Sequence, residues 1–131
     1  MIGLVVVAHA GVANELVAAA EMIVGKLELA EAVGIDPQAS AATVMDSIKE
    51  AVARVSGDGA IIMTDMFGGT PSNMSLSFLA EGKVEVVTGV NLPMLIRFTQ
   101  DRSRVQVHDL AVKLLESGRE GILVAGDYLK K

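Results

Sequence analysis

Residues 5–17, VVVAHAGVANELV, pass from an unbroken apolar run through His9 and Gly11 into a stretch with helical spacing. The run IGLVVVA at 2–8 is apolar on both faces, as in a strand buried inside a parallel sheet. From Val12, apolar residues fall at 12, 16, 20, 23 and 24, one helical face ending at Gly25. A buried strand that runs directly into an amphipathic helix opens a β-α-β crossover. It leaves His9 at the carboxyl end of the first strand.

The same alternation continues outward from this seam. LELAEAV at 27–33 alternates like a half-exposed strand and breaks at Gly34 and Pro37. Ser40 is placed to cap a helix whose face carries Val44, Ile48, Val52 and Val55. AIIMT at 60–64 is a second central strand. Thr70 and Pro71 read as an N-cap followed by proline in the first helical position, opening a helix through Leu79. VEVVT at 84–88 is a further strand, Pro93 starts a short helix, and Leu110, Leu114 and Leu115 mark another. GILVA at 121–125 reads as a short final strand. The expected fold is α/β: an open, mostly parallel sheet of order 2-1-3-4 with helices on both faces. With no linker, repeat or low-complexity stretch, residues 1–131 are assigned to one domain.

Composition narrows the function classes. Of the 131 residues 51% are apolar, mostly small, and the aromatics are three Phe and one Tyr. Without cysteine there is no thiolate metal site, disulfide or thiol redox chemistry, so a cytoplasmic location is expected. No apolar run approaches the ~20 residues of a membrane helix, and MIGLVVVA lacks the basic lead-in of a signal peptide. Direct membrane insertion is therefore not expected. A net charge of −5 argues against non-specific nucleic-acid binding and leaves an anionic group to be held by local dipoles. Met22, Met45, Met63, Met74 and Met94 fall at apolar positions and read as core filler.

In the expected topology strands 1 and 3 are neighbours at the switch point, so His9 and Asp65 come together from distant parts of the sequence. A carboxylate that takes the proton-bearing nitrogen fixes the imidazole tautomer and leaves the other nitrogen nucleophilic. Ala10 and Gly11 open a helix whose N-terminus favours an anion. Gly68, Gly69 and Thr70 offer a second set of backbone N–H groups and a hydroxyl. Together these point to phosphoryl transfer through a phosphohistidine. Taken singly, each has a plainer reading: a structural histidine, a loop aspartate, a turn before a helix. A nucleotide motif is absent, and one histidine with one aspartate does not fill a zinc shell, so neither metal nor organic cofactor is expected. Met66 and Phe67 lie on the rim as a docking patch. His108, beside Asp109 at the start of a late helix, reads as a surface or capping residue.

Three stretches carry a resemblance: MIGLVVVAHAGVANELVAAAEMIVG, IIMTDMFGGTPSNMS and VVTGVNLPMLI. They resemble the mannose-family IIA component of the bacterial phosphoenolpyruvate-dependent sugar phosphotransferase system, nearly end to end. The resemblance implies that His9 takes a phosphoryl group from the histidine-containing phosphocarrier protein and passes it to a histidine of the IIB component. It implies that Asp65 bonds the active histidine and that Thr70 supplies the hydroxyl of the GG[ST]P loop. It also implies docking through Met66, Phe67 and the Asn91-Leu92-Pro93 turn. A homodimer follows from it too, in which each final strand, 121–125, joins the partner's sheet. Two positions depart from the pattern. Ala10 stands where the family commonly has glycine, which changes how closely phosphate approaches the helix. Ala8 replaces a frequent Thr or Ser and removes a hydroxyl.

Two other functions stay open at this level. With no fused IIB domain and no membrane segment, a regulatory protein whose phosphorylation state is sensed by a partner is one. A purely structural α/β domain is the other, and it would take no acid-labile phosphate from any donor.

Overall fold

The computed structural model describes residues 1–130. Its strands are β1 Gly3–His9, β2 Ala30–Ile35, β3 Ala60–Thr64 and β4 Val84–Thr88. They form one wholly parallel sheet in the order β2-β1-β3-β4. Each crossover is helical: α1 Val12–Val24, α2 Ala41–Val55 and α3 Thr70–Leu76. After β4 come α4 Leu92–Asp101, α5 Val107–Glu120 and α6 Ala125–Leu129.

The pleat of β1 divides the core in two. Leu4, Val6 and Ala8 pack with Ala13 and Ala20 of α1, Leu95 and Phe98 of α4, and Leu110 and Leu114 of α5. Val5 and Val7 face the other way, onto Val44, Ile48, Ala51 and Val55 of α2, with Met74 of α3 alongside. Because β1 is covered on both faces, its apolar run needs no alternation. Burial at roughly 25 cal/mol per Å² of apolar surface is the main stabilising contribution here. Arg102, at the end of α4, adds a polar tie. It is buried against the Phe98 ring and donates from Nε and Nη2 to the Ile2 carbonyl at 3.0 and 2.8 Å. Burial lowers its pKa, an effect opposed by the charge of Glu28.

Several expectations need correction. The second strand is Ala30–Ile35 and not 27–33, because Leu29 turns with φ +49° and its carbonyl accepts from Leu4 N–H, setting the register at Leu4 opposite Ala30. The inward face of α1 is Ala13, Leu16, Val17 and Ala20. Val12, Ile23 and Val24 are exposed, as is Met22, which is not core filler. Small alanines let the helix lie close to the sheet, and that outweighs the larger hydrophobes. Gly69, not Thr70, is the N-cap of α3: Asn73 N–H bonds the Gly69 carbonyl, so Thr70 is already helical. That helix ends at Leu76, and the chain continues to Leu79 in tight turns.

The final strand is absent from the sheet. Residues 121–124 lead into α6, and Ile122, Leu123 and Val124 are exposed with no strand beside them. An apolar run makes a strand only where it lies along a free sheet edge, and among the described residues 121–124 lie along neither β2 nor β4.

Candidate active site

β1 and β3 end side by side, with Val7 opposite Thr64, so His9, two residues further along β1, and Asp65, one residue beyond β3, meet. Asp65 Oδ2 lies 2.7 Å from His9 Nδ1 and also accepts the His9 backbone N–H at 2.9 Å. Asp65 Oδ1 accepts the Met66 N–H at 3.0 Å. An ionised carboxylate only accepts, so Nδ1 carries a proton, and in the neutral ring Nε2 keeps its lone pair. The His9 side chain is 50% exposed and that of Asp65 19%. Partial burial pushes the Asp65 carboxyl up and is the largest single influence. The His9 main-chain and ring hydrogen bonds and the attraction of the ring outweigh it together, and the carboxyl sits below its ordinary value.

The turn after His9 is strained. Ala10 has φ +49°, a conformation usually left to glycine. Its N–H is committed to the Ile35 carbonyl at 3.1 Å, so Ala10 offers no donor of its own to a phosphate. Gly11 is the N-cap of α1 and no side chain caps that end, while Glu15 lies in the first turn. The free donors of this helix therefore begin at Gly11, not Ala10.

On the other side of the ring, Gly68 has φ +87° and Gly69 lies against the imidazole. A Cβ on Gly69 would stand 3.2 Å from His9 Cε1 and 3.7 Å from Nε2. The bare Cα leaves Nε2 uncrowded on this side. Thr70 is exposed near this edge, and Met66 and Phe67 stand out beside it, 54% and 71% exposed.

Asn91, Leu92 and Pro93 are half-buried, and the first and last make internal contacts. Asn91 Oδ1 accepts the Met94 N–H at 3.1 Å and its Nδ2 donates to the Gly118 carbonyl at 3.0 Å. Pro93 lies under Gly121, where a Cβ would meet its ring at 2.6 Å. The preceding loop reaches the site end of the sheet through Val90 N–H to Thr64 carbonyl, 2.9 Å. His108 lies elsewhere, exposed on α5 with Nδ1 3.4 Å from Glu85 of β4, and caps nothing. Sequence reading also passed over Gly34 and Ile35, which back the Ala10 turn. The break after the 27–33 run was visible, but not what it lies against.

Among the described residues no helix is long and apolar enough to cross a membrane. The family model EIIA-man, described as PTS system fructose IIA component, matches residues 3–115. The mannose-specific EIIAB component of Escherichia coli (strain K12) is 30% identical over 124 residues, covering 92% of this chain and 38% of that protein. The chain thus spans well under half the length of that relative. The sorbose-specific EIIA component of Lacticaseibacillus casei is 29% identical over 118 residues, covering 89% of this chain and 86% of that one. Among solved structures, the phosphotransferase system component EIIA from Streptococcus agalactiae superposes with a TM-score of 0.89 at 27% identity, over 97% of this chain and 99% of that one. The mannose/sorbose specific IIA subunit from Enterococcus faecalis gives a TM-score of 0.79 at 27% identity, over 94% and 93%. With most of its length inside that family's model and its fold shared with those IIA proteins, the chain belongs to the mannose family of IIA components of the phosphoenolpyruvate-dependent sugar phosphotransferase system.

Proposed function

We propose that His9 Nε2 is the atom that carries the phosphoryl group. It takes the group from the histidine-containing phosphocarrier protein and gives it to a histidine of a IIB component. The observation that supports this most directly is the 2.7 Å contact of His9 Nδ1 with Asp65, which leaves Nε2 as the free nucleophile beside Gly69.

In the accepting step the Nε2 lone pair attacks phosphorus in line. The bond to the donor nitrogen breaks, and its electron pair returns to the donor imidazole. The His9 ring gains positive charge as the new P–N bond forms, and the ionised Asp65 stabilises it through the Nδ1 proton. Backbone N–H groups at Gly11, Gly68 and Gly69, with the Thr70 hydroxyl, are assigned to the phosphoryl oxygens. Positioning and electrostatics supply the catalysis, with no bond made to any other protein group.

Met66 and Phe67 are assigned to docking, with Asn91, Leu92 and Pro93 holding the neighbouring surface. The exposed Ile122, Leu123 and Val124 support a homodimer in which 121–125 adds to the partner's sheet. This reading treats residues 1–131 as one domain acting in the cytoplasm.

The test is an in vitro relay of phosphoenolpyruvate, its first phosphotransferase enzyme and the phosphocarrier protein, with wild type and His9→Ala compared by intact mass. One acid-labile phosphate on wild type and none on the variant is expected. A folded wild type that stays unmodified in a competent relay would overturn the assignment. Adding a IIB protein to the phosphorylated chain then separates transfer from pure regulation.

A further inference from the structure

Resting on the carrier reading above, we infer that Gly34, on the edge strand β2, is a positioning residue for His9. Gly34 pairs with Ala8 and the next residue, Ile35, with His9, so β2 ends level with the strained turn that follows the histidine. Two contacts clamp that turn. The Ala10 N–H donates to the Ile35 carbonyl at 3.1 Å. The Ala10 carbonyl lies so close over Gly34 that a Cβ there would collide with the carbonyl oxygen. The colliding atom is backbone, so it has no rotamer by which to move aside.

The consequence follows from where Ala10 sits. Its left-handed φ of +49° is costly for alanine and persists only where surrounding contacts determine it. Its peptide unit joins the histidine on one side to Gly11, the first free donor of α1, on the other. Pressing the Ala10 carbonyl off β2 therefore turns the Gly11 N–H and pulls on His9, whose own N–H and ring share one oxygen of Asp65. Gly34 is itself exposed and its backbone is extended, so an added methyl has no other buried neighbour to disturb.

The experiment compares wild type, Gly34→Ala and the double variant Gly34→Ala/Ala10→Gly. Two readouts are taken: the single-turnover rate of phosphoryl acceptance, and the long-range proton–nitrogen spectrum of the His9 ring without any donor. Gly34→Ala is expected to slow acceptance roughly 10- to 100-fold, the scale of an ångström-sized misplacement. Its His9 signals are expected to move away from a single Nδ1–H tautomer. Glycine at position 10 lets the carbonyl swing aside without dragging the histidine, so the double variant recovers most of both losses. If Gly34→Ala fails to fold, the double variant restores folding, because the collision has one partner. An unmoved His9 spectrum in Gly34→Ala, or a loss that Ala10→Gly leaves uncorrected, overturns the inference. A wild type that accepts no phosphate instead overturns the carrier reading, and the ring spectrum still decides the role of Gly34.

Discussion

Asp65 Oδ2 receives two hydrogen bonds from the one residue His9, from its main-chain N–H at 2.9 Å and from its ring Nδ1 at 2.7 Å. Ring direction and strand position are thus fixed through a single oxygen. Replacing Asp65 by Asn at unchanged shape puts a donor group where only acceptors stood, and one ring tautomer loses its preference. Phosphoryl acceptance is expected to fall by about 10²- to 10⁴-fold, judged by the cost of the same change in a His–Asp pair elsewhere. His9 itself remains phosphorylatable, so prolonged incubation still yields one acid-labile phosphate. Rapid-quench kinetics beside intact mass reads both.

The same pair gives a pH dependence with a definite sign. The Asp65 carboxyl is lowered in the fold, so its contribution to stability is fully present above the unfolded aspartate value of ~3.9. It is lost as pH falls through the lower folded value. Thermal melts from about pH 6 down to about pH 2 are expected to show wild type losing its advantage over Asp65→Asn only in the acid part of that range. A gap that closes already between pH 5 and 6 would mean another group is responsible.

Gly69→Ala sets a methyl 3.2 Å from His9 Cε1 and 3.7 Å from the attacking nitrogen. The Gly69 backbone, φ −87° and ψ 170°, suits alanine, so the fold should lose no more than about 1 kcal/mol through the weaker N-cap. Acceptance is expected to drop at least tenfold, a loss of about 1.4 kcal/mol in transition-state stabilisation. Measuring the rate beside the melting temperature separates crowding from unfolding.

Ala10→Gly removes the penalty of a left-handed alanine, about 1–2 kcal/mol, and adds freedom to the unfolded chain worth about 0.4–1 kcal/mol. A net gain of about 0.5–1 kcal/mol is expected from denaturant titration at neutral pH. A loss of stability would show that the Ala10 methyl makes a contact that outweighs its strain.

Leu123→Asp places a charge in the middle of the exposed apolar tail. If that tail completes a partner's sheet, sedimentation should show the wild type as a dimer and the variant shifted to monomer, with the His9 ring spectrum preserved. A wild type that sediments as a monomer at micromolar concentration would remove the strand exchange from the proposal.

Sequence alone was enough for the strand order and for the meeting of His9 with Asp65, since right-handed crossovers leave few topologies and short apolar runs alternate with helical stretches. It was not enough for which face of α1 turns inward. A hydrophobic pattern picks out Leu16 and Ala20 correctly but adds Val12, Ile23 and Val24 and passes over Ala13 and Val17, whereas close approach to the sheet favours small residues. The clamp of Gly34 on Ala10 was out of reach for another reason. It joins residues 24 positions apart through a backbone oxygen, and no side-chain pattern records such a contact. GILVA at 121–125 reads as a strand by propensity, and nothing local reports that it does not lie along an edge of its own sheet.

The carboxylate grips the imidazole from one side only, and that has a consequence for traffic. With Nδ1 occupied, the ring has one reactive atom, open to one patch of surface beside Gly69. In the proposed carrier role, whatever delivers a group and whatever collects it come through the same doorway, one after the other. On that reading, giver and taker are not expected to occupy this nitrogen at the same time. Each visitor competes with the other, and the protein must let go of the first before it can meet the second. Its throughput is therefore governed by how briefly each visitor stays as much as by how fast the bond is exchanged.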